Sequence, residues 1–205
     1  WLLHELEVPF EVSIHAFDES LRDPGYLAIS PAGRVPSLEI DGERMFETGA
    51  IAEYLCERFS PDRLGRMPGA PDRMAWLVWI HFAETVSQHC AALTQQHVAL
   101  RDDSMRSPIV MKLEAARLMK CYDAIEARLG GGILTQDYLL MSGFTAADVN
   151  VGQAIYMAQH FAKLDNQPNV AAWYARITDR EAFQLSLPKD VPLFDRSFYD
   201  PWPVE

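Results

Sequence analysis

Basic residues are scarce in this chain: 18 Lys and Arg stand against 29 Asp and Glu in 205 residues, for a net charge of −11. That balance repels phosphate backbones and anionic lipid surfaces, so neither nucleic acid nor a membrane is an expected partner. Cysteine is scarcer still. Cys56, Cys90 and Cys121 show no CxxC or metal-ligand spacing, and their odd number fits a reducing compartment. Long apolar runs are missing as well. The longest nearly uninterrupted stretch, Met74 to Phe82, falls far short of the ~20 residues a membrane-spanning helix needs, and no charged-then-apolar leader opens the chain. A cytoplasmic protein is expected. No GxSxG, glycine-rich phosphate loop or zinc ligand set occurs. What the chain does have is a globular composition, 49% apolar and 23% charged, and enough length for one large domain or two small ones.

The first third mixes two periodicities. Trp1, Leu2, Leu3, Leu6 and Val8 form a helix-like apolar face with no capping residue or initiator Met ahead of it, from which an upstream segment is expected. Phe10, Val12, Ile14 and Ala16 then alternate with polar residues, which predicts a half-buried strand. Asp18 to Ile29 has helical composition weakened by Pro24-Gly25, and Ser30-Pro31-Ala32-Gly33 reads as a loop. Asp41-Gly42 between the short runs 36–40 and 43–46 predicts a hairpin. Thr48 offers an N-cap for a helix carrying Ile51, Leu55 and Phe59.

After the Pro- and Gly-rich stretch from Ser60 to Pro71, read as a linker, the pattern becomes helical throughout. Trp76, Ile80, Ala83, Val86, Cys90 and Leu93 share one face, and additional apolar residues make the first turns apolar nearly all round. Such a helix is either central or partly covered by a second subunit. Ser107-Pro108 starts another helix, carrying Met111, Ala115, Leu118, Tyr122, Ile125 and Leu129 and stopped by Gly130-Gly131-Gly132. Thr145 opens a third with a reciprocal capping pair, Thr145 and Asp148, and a fourth is expected over 169–178, leaving a Pro- and aromatic-rich tail. No strand is expected in this half.

Several residues have chemical content with two readings. Val35-Pro36 is an ordinary trans proline or a cis bond at the entrance to the hairpin. Thr48 is a helix cap or the place where an anion meets amide groups and the positive end of a helix dipole. Asp148 could be taken for a general acid, but its capping role commits it to backbone donors. His81, His89 and His97 recur every eight residues, each step turning about 80° round a helix, so they cannot share a metal. Buried, inert thiols are the default for Cys56 and Cys121.

In combination, Pro31-Ala32-Gly33-Arg34-Val35-Pro36, the Asp-Gly hairpin and Glu47-Thr48-Gly49-Ala50-Ile51 resemble the glutathione-binding half of cytosolic glutathione transferases, especially bacterial ones. The usual family form is N-P-x-G-K-V-P followed by E-S-x-A-I; Ser30 stands for its Asn, Arg34 for its Lys and Thr48 for its Ser. The opening Trp1-Leu2-Leu3-His4-Glu5-Leu6 with Val8-Pro9-Phe10-Glu11, the stretch Trp79 to Glu84, and Gly143-Phe144-Thr145-Ala146-Ala147-Asp148 are similar to further parts of that family, so the likeness covers essentially the whole chain.

The resemblance implies a thioredoxin-like α/β domain over 1–60, a linker at 61–70 and an all-α helical domain over 71–205. It implies glutathione as co-substrate and no metal. Val35, before a cis Pro36, would pair its backbone with the cysteinyl unit. Thr48 would take the γ-glutamyl carboxylate, Glu47 the ammonium and Arg34 the glycyl carboxylate. Trp79, Phe82 and Thr85 would line the pocket of a small hydrophobic electrophile, although core packing explains the aromatic pair equally well. A homodimer is expected. The thiol-activating Ser, Tyr or Cys of the family would lie before Trp1, in a strand and loop of about fifteen residues. Its identity bears on the alternatives: conjugation of glutathione, a non-catalytic binding or regulatory protein of the same fold, or glutathione-dependent peroxide or disulfide reduction.

Overall fold

The computed structural model describes residues 1–16, 18–131 and 136–188. Helix α1 spans Leu2–Glu5, a 3₁₀ turn covers Glu19–Arg22, and α2 spans Pro24–Leu27. Strands β1 (Ser37–Ile40) and β2 (Glu43–Phe46) follow, then α3 (Thr48–Phe59) and α4 (Arg73–Thr94), which runs into a π-helical turn at Gln95–Ala99. A 3₁₀ turn at Asp103–Met105 precedes α5 (Pro108–Gly130), α6 (Ala146–Ala158), α7 (Pro168–Thr178) and α8 (Glu181–Ser186). The small sheet followed by helices agrees with a thioredoxin-like part joined to an all-helical one.

The hairpin forms as its turn dictates. Asp41 and Gly42 have φ of 52° and 81°, the positive values a two-residue type I′ connection requires at both central positions. The strands pair antiparallel from Ile40 with Glu43 out to Ser37 with Phe46. The expected strand over residues 10–16 does not form. It runs without ladder partners among the described residues, leaving Val12 70% and Ile14 80% exposed. Alternation encodes which face a strand would bury, but the ladder itself needs a neighbouring backbone, and no described segment supplies one. The helix expected over 18–29 splits in two where Pro24 takes a first-turn position and Asp18 caps the preceding turn through Ser20 N at 2.9 Å.

Helix α3 begins one residue earlier than a Thr48 cap implies. Glu47 occupies the cap position at φ 75° and Thr48 is the first helical residue. Its buried face is Gly49, Ala52, Leu55 and Cys56, while Ile51 is half-buried and Phe59 exposed, because strict four-residue spacing drifts off a 3.6-residue turn.

The stretch after α3 is firmly packed. Leu64 is fully buried, and its carbonyl accepts from Trp76 Nε1 at 2.9 Å and from Ala146 N at 3.0 Å, tying the starts of α4 and α6 together. Arg66, nearly buried, meets Asp72 at 2.9 Å, Ser142 Oγ at 2.5 Å and three carbonyls of the turn around it. These bonds give an irregular segment the satisfied polar groups that burial demands.

All six periodic residues of α4 from Trp76 to Leu93 are buried, whereas Met74 and Val78 on its first turns are exposed. Ser107 Oγ caps α5 through Val110 N at 3.4 Å, with Pro108 in the first turn, and the predicted α5 stripe is buried. Helix α6 is central. A Cβ on Gly152 would stand 2.6 Å from Ile177 and 2.9 Å from Trp1, so α6 can pack this closely against α7 and the start of the chain only with glycine there. Asp148 anchors the arrangement, accepting from Thr145 N, Leu139 N and Trp173 Nε1, each at 2.9 Å. Burial pushes its carboxyl up, against the pull of those donors. A group so enclosed and so occupied is structural, not a general acid. Helix α1 is clamped to the far end of the chain, where Arg180 reaches both carboxylate oxygens of Glu5 at 2.7 Å.

Candidate functional site

The loop leading into β1 is held by buried hydroxyls. Tyr26 Oη and Ser30 Oγ both donate to the Arg34 carbonyl, at 2.8 and 2.7 Å, and Gly33 N donates to Ser30 O at 2.9 Å. Gly33 lies at φ 61°, and a Cβ there would stand 2.9 Å from the Leu21 carbonyl, so glycine is needed on both counts. The fixed Arg34 carbonyl sets the backbone that follows. Val35 is 59% exposed, the Val35–Pro36 bond is cis, and neither the N–H nor the C=O of Val35 makes a backbone hydrogen bond among the described residues.

The hairpin register carries the second half of the site to the same place. Ser37 and Phe46 are the outermost ladder pair, so Pro36 and Glu47 are the next residues outward on the two strands, with Val35 and Thr48 just beyond. Glu47 turns the chain into α3 with an exposed side chain that has no ion-pair partner among the described residues. Ile51 N makes the first backbone bond of that turn, to Glu47 O at 3.0 Å, and no side chain caps α3. The amides of Thr48, Gly49 and Ala50 are therefore free donors at the positive end of a three-turn helix, suited to a carboxylate. By contrast, α5 and α6 have Ser107 and Thr145 on theirs. Arg34 is exposed on the loop beside them.

The residues assigned to an acceptor lie on α4. Trp79 and Phe82 meet edge to face with centroids 5.2 Å apart, both half-buried against the core, and Thr85 is exposed one turn on. Two clefts open elsewhere: one of about 680 Å³ beside Arg66, Asp72 and Met141, and one of about 500 Å³ beside Glu5, Arg63 and Arg180. None of the glutathione or acceptor candidates lines either.

The three spaced histidines go to separate partners. His81 Nε2 lies 2.6 Å from Glu53, His89 Nδ1 lies 2.7 Å from Glu114, and the His97 ring packs on Phe161. Among the described residues no group of three or more His, Cys, Asp or Glu could hold a metal, and no helix is long and apolar enough to cross a membrane. All three cysteines are free and buried, and burial pushes the thiols of Cys56 and Cys90 up to about 12. They are protonated at neutral pH and poor nucleophiles. Two anchors escaped the sequence reading. Tyr26 lies in a helix too short to show periodicity, and the contact between α3 and His81 joins residues more than 25 positions apart, with Gly49 in a first helical turn as its only local sign.

Two family models match this chain: the glutathione S-transferase N-terminal domain over residues 1–58 and the glutathione S-transferase C-terminal domain over 93–181. A glutathione S-transferase of Arabidopsis thaliana is 30% identical over 192 residues, covering 88% of this chain and 84% of the relative. A solved glutathione transferase from Populus trichocarpa is 25% identical with a TM-score of 0.75, covering 90% of this chain and 88% of its own. One from Phanerochaete chrysosporium, solved with oxidized glutathione, has a TM-score of 0.79 at 22% identity, covering 90% and 86%. The chain belongs to the glutathione S-transferase family.

Proposed function

We propose that this glutathione S-transferase joins the thiolate of glutathione to a small hydrophobic electrophile, with the tripeptide lying between Val35 and the first turn of α3. The backbone N–H and C=O of Val35 pair with the cysteinyl unit as an added strand would. The α-carboxylate of the γ-glutamyl unit sits on the amides at 48–50 and the Thr48 hydroxyl, and Glu47 faces its ammonium. Arg34 reaches the glycyl carboxylate. The thiol proton goes to solvent, and the thiolate then bonds to the electrophilic carbon of an acceptor held near Trp79, Phe82 and Thr85 while a leaving group departs from that carbon with its bonding pair. The reading includes a cytoplasmic homodimer, supported by the exposed apolar flank of Met74 and Val78 on α4.

One observation carries this reading: an uncapped helix N-terminus and an unpaired stretch of backbone stand side by side at the open end of one hairpin. Calorimetric titration with reduced glutathione tests it. Thr48→Ala weakens binding by about 1 to 3 kcal/mol, the worth of a hydrogen bond to a charged group. Unchanged affinity removes Thr48 from the site. A screen of electrophiles, peroxides and disulfides with the binding-competent protein then separates conjugation from reduction and from binding alone.

A further inference from the structure

Gly49 is buried in the first turn of α3, next to Thr48 and one turn before Glu53. A Cβ at position 49 would stand 2.9 Å from His81 Nδ1 and 3.0 Å from His81 Cε1, so any side chain there would require the imidazole, itself about half exposed, to move. On its other side the same imidazole meets Glu53 Oε1 through Nε2 at 2.6 Å. Positions 49 and 53 lie on one face of α3, so a single ring from α4 braces that face over its first full turn. Glycine is a poor helix former, and nothing in the helix itself calls for it there. The approach of His81 does.

We propose that His81 is a positioning residue for glutathione: set against Gly49 and bonded to Glu53, it fixes the turn whose free amides receive the γ-glutamyl carboxylate. This role rests on the glutathione reading above. With no side chain capping α3, the direction of those amides depends on what holds the flank of the turn, and at Gly49 that is the His81 ring. It also lies on the stretch of α4 that carries Trp79, Phe82 and Thr85.

A double-mutant cycle read by glutathione calorimetry and thermal unfolding tests the role. His81→Ala and Gly49→Ala each raise the glutathione Kd about 5- to 10-fold, and His81→Gln, which restores a donor to Glu53, returns it to within about twofold. Once His81 is alanine, Gly49→Ala costs no further affinity and raises Tm, because alanine is then only the better helix former. Glu53→Gln reads the same bond at the surface, without disturbing packing, and raises Kd about 2- to 5-fold. Parent-like Kd values in all these variants, or an equal loss for Gly49→Ala in both backgrounds, overturn the positioning role while glutathione binding stands. A parent that binds no glutathione overturns the functional reading and this role with it.

Discussion

Replacing Asp148 tests how the helical part is held together. Its carboxylate is fully buried and accepts from Thr145 N, Leu139 N and Trp173 Nε1, and Thr145 Oγ1 lies 3.5 Å away. These partners come from the start of α6, the turn before it and α7. Asp148→Ala leaves those buried donors without an acceptor. Each such loss costs about 1 to 3 kcal/mol, and with partial rehydration through the cavity the total is expected near 4 to 5 kcal/mol, at the top of the range for single substitutions. Asp148→Asn keeps one acceptor oxygen but turns an NH₂ toward a donor, and should cost about half as much. Urea unfolding followed by circular dichroism measures both, with the midpoint falling and the slope unchanged. A loss below about 1 kcal/mol for the alanine variant would refute the anchoring role. An asparagine variant of parental stability that has selectively lost turnover would restore the general-acid reading.

Two further outcomes follow from buried ionisable groups. Burial alone would raise the Glu5 carboxyl, but its bonds to Arg180 and Trp1 hold it below its ordinary value of 4.5. A carboxyl lowered in the folded state stabilises above the unfolded value and loses that contribution as the pH falls through the folded one. The parent Tm should therefore drop more steeply below about pH 4.5 than that of Glu5→Gln, which is less stable by about 2 to 4 kcal/mol at neutral pH; parallel pH profiles would contradict this. The buried cysteines should react with a thiol-specific disulfide reagent only on unfolding, and a rapidly titrating thiol in the native protein would contradict their enclosure.

What could be read from the sequence was what neighbours in sequence decide. The Asp41-Gly42 turn, the Ser107-Pro108 start and the Thr145–Asp148 pair each sit within a few residues of the groups they satisfy, the α4 stripe repeats along a single helix, and each forms as expected. Failures came where a distant partner decides. Residues 10–16 carry a strand's alternation without a described neighbour to pair with. The stretch after α3 is irregular, as expected of a linker, but its packing was hidden because the Arg66 partner Ser142 lies 76 positions away. Helix α8, one turn and a half long, shows too little periodicity to be seen. At the site, the motif marked the residues, but only the hairpin register shows why 35–36 and 47–48 are neighbours, and only the fold reveals His81 against Gly49. The proline-rich tail from 189 onward and Gly132 in the α5 stop signal lie outside the described residues.

The most direct measurement is amide mapping by NMR during titration with reduced glutathione. The amides of Val35 and of Thr48, Gly49 and Ala50 should shift together, saturating with one common Kd. Shifts gathered instead around Arg66, Asp72 and Met141, with those four amides unmoved, would place the ligand in the other cleft and contradict the account.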